Sequence, residues 1–330
     1  MPFPQRSERA QRPRRHGQPT EVATLVHLLN ERYRQEFDRA ERLAAELRDI
    51  RHSRLWPFFA WLRRLRARFQ PSLQPPPVPE EPFGPFPEAG TAPPRPDLPC
   101  SIVIPIRDQA ALLRTCLRSL RRTTLVEQPE IILVDNGSTC RDTLRFLARW
   151  RERGRGLVLS RPGPFNFSWL CNEGARIATG EVLLFLNNDV TALKPGWLAA
   201  MAGLATLPTV GAVGATLLYP NGTLQHAGLA RDHSGRWHHP FRFALTSGAG
   251  TASILRQVHT AAAATGACLM VEKRRFAEVG GFDEQLPVTG NDADLCLRLA
   301  AKGLATVVTP AARLVHFESL TRGFTCEAAA

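Results

Sequence analysis

Residues 181–189 read EVLLFLNND, an apolar run from Val182 to Leu186 that ends in Asn187, Asn188 and Asp189. Five large apolar residues between Gly180 and an oxygen-rich cluster read as a strand that stops where polar side chains begin. Just upstream, Asn166–Thr179 reads as a helix, with Asn166 as its N-cap and Gly180 as its stop. Further upstream the alternation repeats. Leu157–Ser160 is a strand, Arg141–Arg153 a helix, Glu130–Val134 a strand, Gln109–Arg122 a helix and Ser101–Ile106 a strand. Short strands alternating with helices predict an α/β fold with a mostly parallel central sheet. Ligands of such sheets sit beyond the carboxyl ends of the strands. Polar residues directly after each strand are therefore the candidates for function.

The chain has 330 residues, 44% of them hydrophobic, enough for one sizeable domain plus further segments. Its net charge of +12 is uneven. Residues 1–70 carry 16 Lys and Arg against 8 Asp and Glu, and residues 71–99 carry 1 against 4. The basic excess reads either as a solvated arm or as attraction to an anionic membrane surface. No zinc-finger, basic-zipper or RNA-binding signature is present, so nucleic acid is not an expected partner. Seven scattered cysteines, an odd number with no C-x-x-C pair, argue against a disulfide framework or a zinc site. They fit a reducing, cytoplasmic compartment. The N-terminus lacks the apolar core of a secretory signal. The uncharged run Pro195–Ala230 is broken by Pro208, Asn221 and several glycines, and reads as helix, loop, buried strand and turn rather than a membrane span.

Four segments follow from composition. Residues 1–19 form a basic tail rich in Arg, Gln and Pro. Residues 20–70 form a helical arm: apolar residues recur every three or four positions over 21–50, and the basic, aromatic stretch 54–69 reads as amphipathic. The stripe over 21–50 suits self-association, and the stretch 54–69 suits a peripheral membrane contact. Residues 71–98 form a Pro-rich linker, since 12 of the 29 positions from 71 to 99 are proline. Residues 99–330 form the catalytic-type domain.

Four constellations follow predicted strands or open a predicted helix. Asp135-Asn136-Gly137-Ser138 ends the second strand, placing Asp135 to accept hydrogen bonds from a nucleoside; the same four residues are also good turn chemistry. Asn187-Asn188-Asp189 offers oxygen ligands suited to Mg²⁺ or Mn²⁺, or a loop start and helix cap. In Asn291-Asp292-Ala293-Asp294, Asp292 is a general-base candidate or a helix-terminus acid, and Asp294 is one turn from Arg298. His316, after Arg313–Val315, is a metal-ligand candidate or a structural histidine, and Arg322 beyond it could face phosphate. No Walker loop, dinucleotide glycine fingerprint or G-x-S-x-G elbow is present, which lowers the case for kinases, dehydrogenases and hydrolases.

Taken in order, SIVIPIRDQAALLRTCLRSL, IILVDNGST, GPFNFSWLCNEGARIATGEVLLFLNNDV, VGAVGATLLYPNGTLQHAG, TGACLMVEKRRFAEVGGFDEQ, NDADLCLRLAAKG and LVHFESLTRG resemble family 2 glycosyltransferases of the GT-A fold. The similarity is nearest to rhamnosyltransferase-like enzymes of bacterial O-antigen and surface-polysaccharide assembly. It implies an inverting transfer of a sugar, rhamnose among the candidates, from a nucleotide-sugar donor to a glycan or lipid-linked glycan. It further implies that Asp135 contacts the donor's base or ribose, and that Asp189 and His316 hold the Mg²⁺ or Mn²⁺ bridging the diphosphate. By the same resemblance Asp292 is the catalytic base. Pro105, the segment 165–172 with Asn166 and Asn172, Asn188 and Gly266 shape the donor pocket, while Asn187, Asn291, Asp294, Arg298 and Arg322 support it.

Two departures stand out. The usual Asp-x-Asp is here Asn-Asn-Asp, which leaves fewer charges for the metal, and the Gln-x-x-Arg-Trp signature of processive synthases is absent. The chain ends soon after Gly323, where relatives usually continue with another helix. An inactive glycan- or nucleotide-binding scaffold is the alternative expectation. The expected location is the cytoplasm, with peripheral contact at the inner face of the membrane.

Overall fold

The computed structural model describes residues 93–231, 235–246 and 255–317. Two compact units divide the chain, Met1–Val78 and Pro79–Ala330, and every described residue belongs to the second. The expected basic tail, the arm over 20–70, most of the linker, and Arg322 lie outside the described residues.

Sequence alternation becomes structure in the first half of the domain. β1 (Cys100–Ile106), α1 (Ala110–Thr123), β2 (Glu130–Asp135), α2 (Arg141–Glu152), β3 (Leu157–Ser160), α3 (Phe167–Ile177) and β4 (Val182–Leu186) follow one another. Next come β5 (Val190–Ala192), α4 (Trp197–Ala205), β6 (Val210–Leu218) and β7 (Leu224–His226). A two-stranded ribbon of β8 (Ala230–Arg231) and β9 (Trp237–His238) precedes β10 (His259–Ala261), β11 (Cys268–Glu272), α5 (Lys273–Glu278), α6 (Asn291–Ala300) and β12 (Ala305–His316). The run Pro195–Ala230 is thus helix, strand and turn, and no described helix is long and apolar enough to cross a membrane.

The strands form one sheet in the order β10-β12-β6-β11-β4-β1-β2-β3, with β5 on β12 and β7 on β6. β3, β2, β1 and β4 are mutually parallel. β11 enters antiparallel between β4 and β6, and β12 runs parallel to β6. The chain leaves β1 towards β2 and β3, then crosses back to place β4 on the other side of β1. That reversal opens a crevice at the carboxyl end of β1.

Period-two alternation sorts the side chains onto two faces. Ile102, Ile104, Ile106, Leu184 and Leu186 pack under α1, α2 and α4. Val103, Val134, Leu183 and Phe185 pack under α3, α5 and α6, where Phe185 meets Phe276 and Phe282 at ring-centroid distances of 4.9 and 4.8 Å. Both faces are covered, which is why the parallel strands read as continuous apolar runs.

Asn166 caps α3, its side chain accepting from the Trp169 N–H at 3.0 Å. Gly180 has a different role from the stop expected of it. The helix ends at Ile177 with Ala178 as C-cap, and a Cβ on Gly180 would lie 2.5 Å from the Ser101 nitrogen. Close passage of the β1 backbone, not helix termination, requires glycine there. Gly174 is the matching close approach within α3, where a Cβ would run into Val103 Cγ1 and sit 3.1 Å from Val134 Cγ2. Gly174→Ala is expected to destabilise the domain by about 1–3 kcal/mol through overpacking, read as a lower denaturant midpoint at unchanged m-value.

Candidate active site

The carboxyl ends of β2, β1 and β4 lie side by side, because β1 pairs with both neighbours. Pro105 is buried in β1 opposite Val134, and Ile106 is opposite Asp135. Asp135 is 7% exposed, and its Oδ1 accepts from the Ser138 N–H at 3.0 Å and the Ser138 hydroxyl at 2.5 Å. Gly137, at φ 71°, lets the chain turn tightly here. Asn136 donates to the Arg161 and Gly163 carbonyls at 2.9 and 3.3 Å, while its own Oδ1 is buried without a hydrogen-bond partner.

At the end of β4 the Asn187 N–H donates to the Ala267 carbonyl at 3.0 Å, tying this segment to residues 265–267. Asn188 and Asp189 are both buried. β12 returns antiparallel to β5 with His316 opposite Val190, and the Phe317 N–H donates to the Asp189 carbonyl at 3.0 Å. His316 Nε2 thereby lies 3.2 Å from Asp189 Oδ1 and 3.4 Å from Asn187 Nδ2. Asp189 Oδ1 is buried and accepts no hydrogen bond. Among the described residues, one carboxylate and one imidazole are gathered here beside the Asn187 and Asn188 amides, and no group of three or more His, Cys, Asp or Glu that could hold a metal occurs. Two ligands fit an ion that keeps several waters and shares phosphate oxygens, as Mg²⁺ does.

Asp292 lies in the first turn of α6, entered through Gly290 at φ 81°. Its Oδ2 accepts from the Gly266 N–H at 3.0 Å and its Oδ1 from the Ala293 N–H at 2.8 Å. A Cβ on Gly266 would lie 3.2 Å from the Phe167 ring and 3.7 Å from Asp292 Cβ, so glycine keeps this approach open. Through Gly266 and Ala267, Asp292 is connected to the Asn187–Asp189 segment by one hydrogen bond to its side chain and one between backbones.

Other expected site residues do structural work nearby. Asn166 Nδ2 donates to the Glu284 carbonyl at 2.8 Å. Asn172 exchanges hydrogen bonds with the Phe282 N–H and carbonyl, both at 2.9 Å, and donates to Glu284 Oε1. Their amides thus clamp the loop over 282–284 onto α3, and Asn172 also lines a cavity of about 440 Å³ with Asp294 and Arg298. Asn291 holds the Leu286 carbonyl at 3.2 Å, and Arg298 pairs with Asp294 at 2.6 Å while donating to the Val279 carbonyl. A groove of about 590 Å³ lies elsewhere, between α1 and α2 against Leu117, Leu120, Phe146 and Trp150, and contains none of the expected site residues.

A model of the family described as "Glycosyl transferase family 2" matches residues 101–264. The chain carries a glycosyltransferase family 2 domain. It is 40% identical over 224 residues to the O-antigen biosynthesis protein RfbC of Myxococcus xanthus, a match covering 67% of this chain and 17% of that protein. The chain therefore spans less than a fifth of the length of this relative. It is also 37% identical over 59 residues, 18% of this chain and 19% of the other, to an N-acetylglucosaminyl-diphospho-decaprenol L-rhamnosyltransferase of Mycobacterium tuberculosis. In fold it is similar to the crystal structure of GalNAc-T7 with UDP, GalNAc and Mn²⁺, with a TM-score of 0.55 at 18% identity over 66% of this chain and 44% of that one. The fold is of the GT-A type.

The family 2 domain also uses residues that sequence reasoning passed over. Asp108, in the loop after β1, accepts from the Thr139 and Cys140 N–H groups at 2.9 and 2.7 Å, and so caps α2 from another element. It adopts φ 56° and is followed by Gln109 at φ 58°. Local spacing could not reveal a cap supplied from 31 residues away. Gln225 and His226 were within a quoted motif but carried no role. Gln225 Oε1 lies 2.8 Å from His316 Nδ1, and His226 Nε2 accepts from the Thr265 and Gly228 N–H groups, each at 3.3 Å. Burial and the surrounding histidines hold the His226 pKa well below the usual imidazole value, so the ring stays neutral.

Burial raises the pKa of Asp292 above the ordinary carboxylate value, while hydrogen bonds from Gly266, Ala293 and the Thr265 hydroxyl pull the other way. A raised folded-state pKa means that the group's contribution to stability is complete in acid and is lost as pH rises through that value. Thermal unfolding of the native chain and of Asp292→Asn should therefore show the native chain losing ground to the variant as pH rises above the ordinary carboxylate range. A difference independent of pH would contradict the raised value.

Proposed function

We infer that this domain transfers a sugar from a nucleotide-sugar donor to an acceptor hydroxyl with inversion, and that its centre is formed by Asp189, His316 and Asp292. The observation carrying this reading is the buried, unbonded Asp189 Oδ1 facing His316 Nε2 at 3.2 Å, at the strand ends where the sheet reverses order. A carboxylate oxygen accepts only, so a buried one without a donor calls for a cation.

Asp189 and His316 would hold Mg²⁺ or Mn²⁺, which supplies charge neutralisation for the departing diphosphate. Asp135 and Asn136, at the end of β2, would take the nucleoside, with Pro105 as the floor, and Asn188 would line the diphosphate side. Asp292 accepts the proton of the acceptor hydroxyl as its oxygen bonds to the anomeric carbon and the bond from that carbon to the diphosphate breaks. Gly266 leaves room for the sugar beside Asp292 and, through its N–H, holds the carboxylate. The raised pKa of Asp292 brings a carboxylate closer to the strength useful for a base near neutrality.

The acceptor in this reading is a glycan or lipid-linked glycan of O-antigen or surface-polysaccharide assembly, supported by the similarity to the O-antigen protein. Rhamnose as the sugar is supported by the short match to the named rhamnosyltransferase. Residues 99–330 would be the transferase unit. The arm over 20–70 would serve membrane contact or self-association, with the domain working at the inner face of the membrane.

Purified protein incubated with UDP-, GDP- and dTDP-sugars, lipid-linked glycan acceptors and Mn²⁺ or Mg²⁺ should release nucleoside diphosphate from one donor. Chelator should abolish release, and Asp189→Ala should remove it. Asp292→Asn should lower turnover by about 10²–10⁴-fold while donor binding persists. Near-normal turnover in Asp292→Asn would refute the base assignment, and binding of donors with no release in the native chain would favour the scaffold reading.

A further inference from the structure

The nitrogen of His316 that faces Asp189 can accept a cation only if it carries no proton, and imidazole alone does not decide which nitrogen that is. The choice is made from β7. Gln225 is 4% exposed and grips His316 at two points. Its Nε2 donates to the His316 carbonyl at 3.4 Å, and its Oε1 lies 2.8 Å from His316 Nδ1. A carbonyl oxygen accepts only, so the amide nitrogen must face it and the amide oxygen must face the ring. An amide oxygen also accepts only, so Nδ1 must carry the ring proton. In the neutral ring Nε2 is then the unprotonated nitrogen, and the Asn187 Nδ2 donor 3.4 Å away agrees with that assignment. It is this nitrogen that meets the unbonded Asp189 Oδ1.

We propose that Gln225 is a positioning residue that locks His316 in the Nδ1–H tautomer and so presents Nε2, together with Asp189, to a divalent cation. This rests on the metal reading above and goes beyond it, since it assigns the residue that makes the imidazole a ligand. The neighbouring His226 turns to the opposite side, onto the Thr265 N–H next to the Gly266 contact with Asp292. The short strand β7 thus buttresses the metal side and the base side through adjacent residues.

The test uses the full chain and Mn²⁺, titrated by electron paramagnetic resonance with UDP, GDP and dTDP in turn. Gln225→Met should weaken Mn²⁺ binding by about 10–100-fold, the usual effect of losing the partner of a ligating histidine. Gln225→Glu keeps an acceptor on Nδ1–H and should restore the affinity. In turnover, Gln225→Met should need more Mn²⁺ for half-maximal rate yet approach the native kcat at saturation, a split that loss of fold would not produce. Mn²⁺ affinity unchanged in Gln225→Met but lost in Asp189→Ala would overturn the assignment and leave the metal reading intact. Native protein binding Mn²⁺ no better than Asp189→Ala would remove both. Long-range ¹H–¹⁵N spectra of the native chain, with His316 assigned through His316→Gln, need no folded Gln225 variant. They should show the Nδ1–H tautomer at neutral pH, and a proton on Nε2 overturns the proposal.

Discussion

The return of β12 to β5 is the contact on which the candidate centre depends. It sets His316 opposite Val190, and the Phe317 N–H on the Asp189 carbonyl fixes the approach at 3.0 Å. Asn187 and His316 are 129 residues apart in the chain and 3.4 Å apart in space. Loop closure grows only slowly more costly with length. The long separation is therefore tolerable once β12 is anchored along β6, whose register it follows from Val210 to Leu218. After the irregularity between Thr309 and Arg313 the strand stays on β6, and Leu314 and Val315 pair with β6 on one edge and β5 on the other.

The second constraint is the reversal of strand order at β1. With β2 on one side and β4 on the other, three strand ends deliver Pro105, Asp135 and Asn187–Asp189 to one rim. Buried polar groups concentrate there, and their hydrogen bonds sort them. The Asp135 Oδ1 is answered by Ser138, so that turn is self-consistent framework. Asn136 Oδ1 and Asp189 Oδ1, by contrast, are two of five buried side-chain atoms without a partner among the described residues. Both flank β1 on the rim, which is where a ligand would complete them.

The surroundings of Asp292 are built on different physics. Asp292 is placed by a helix N-terminus and a glycine N–H, yet enclosed enough that burial outweighs those hydrogen bonds and raises its pKa. Asp189, a few residues beyond the Asn187 link to Ala267, instead faces an imidazole. Asp292 and Asp189 are thereby set in different environments, one with its pKa raised by burial and one beside an imidazole.

Much of this was legible from the chain alone. The α/β alternation from β1 to β4, the Asn166 cap and the acidic first turn of α6 all follow from local spacing, because strands and helix ends are decided by neighbours within a few residues. The polar clusters after β2 and β4 were visible for the same reason. What the tertiary structure alone decided depends on residues far apart. Gly180 is glycine because β1 passes against it, Asn166 and Asn172 hold the loop over 282–284, and Asp108 caps a helix that begins far beyond it in the chain. Above all, an imidazole has no preferred nitrogen in the sequence. The amide on β7 that meets one edge of the His316 ring and the carboxylate after β4 that meets the other are brought there only by folding.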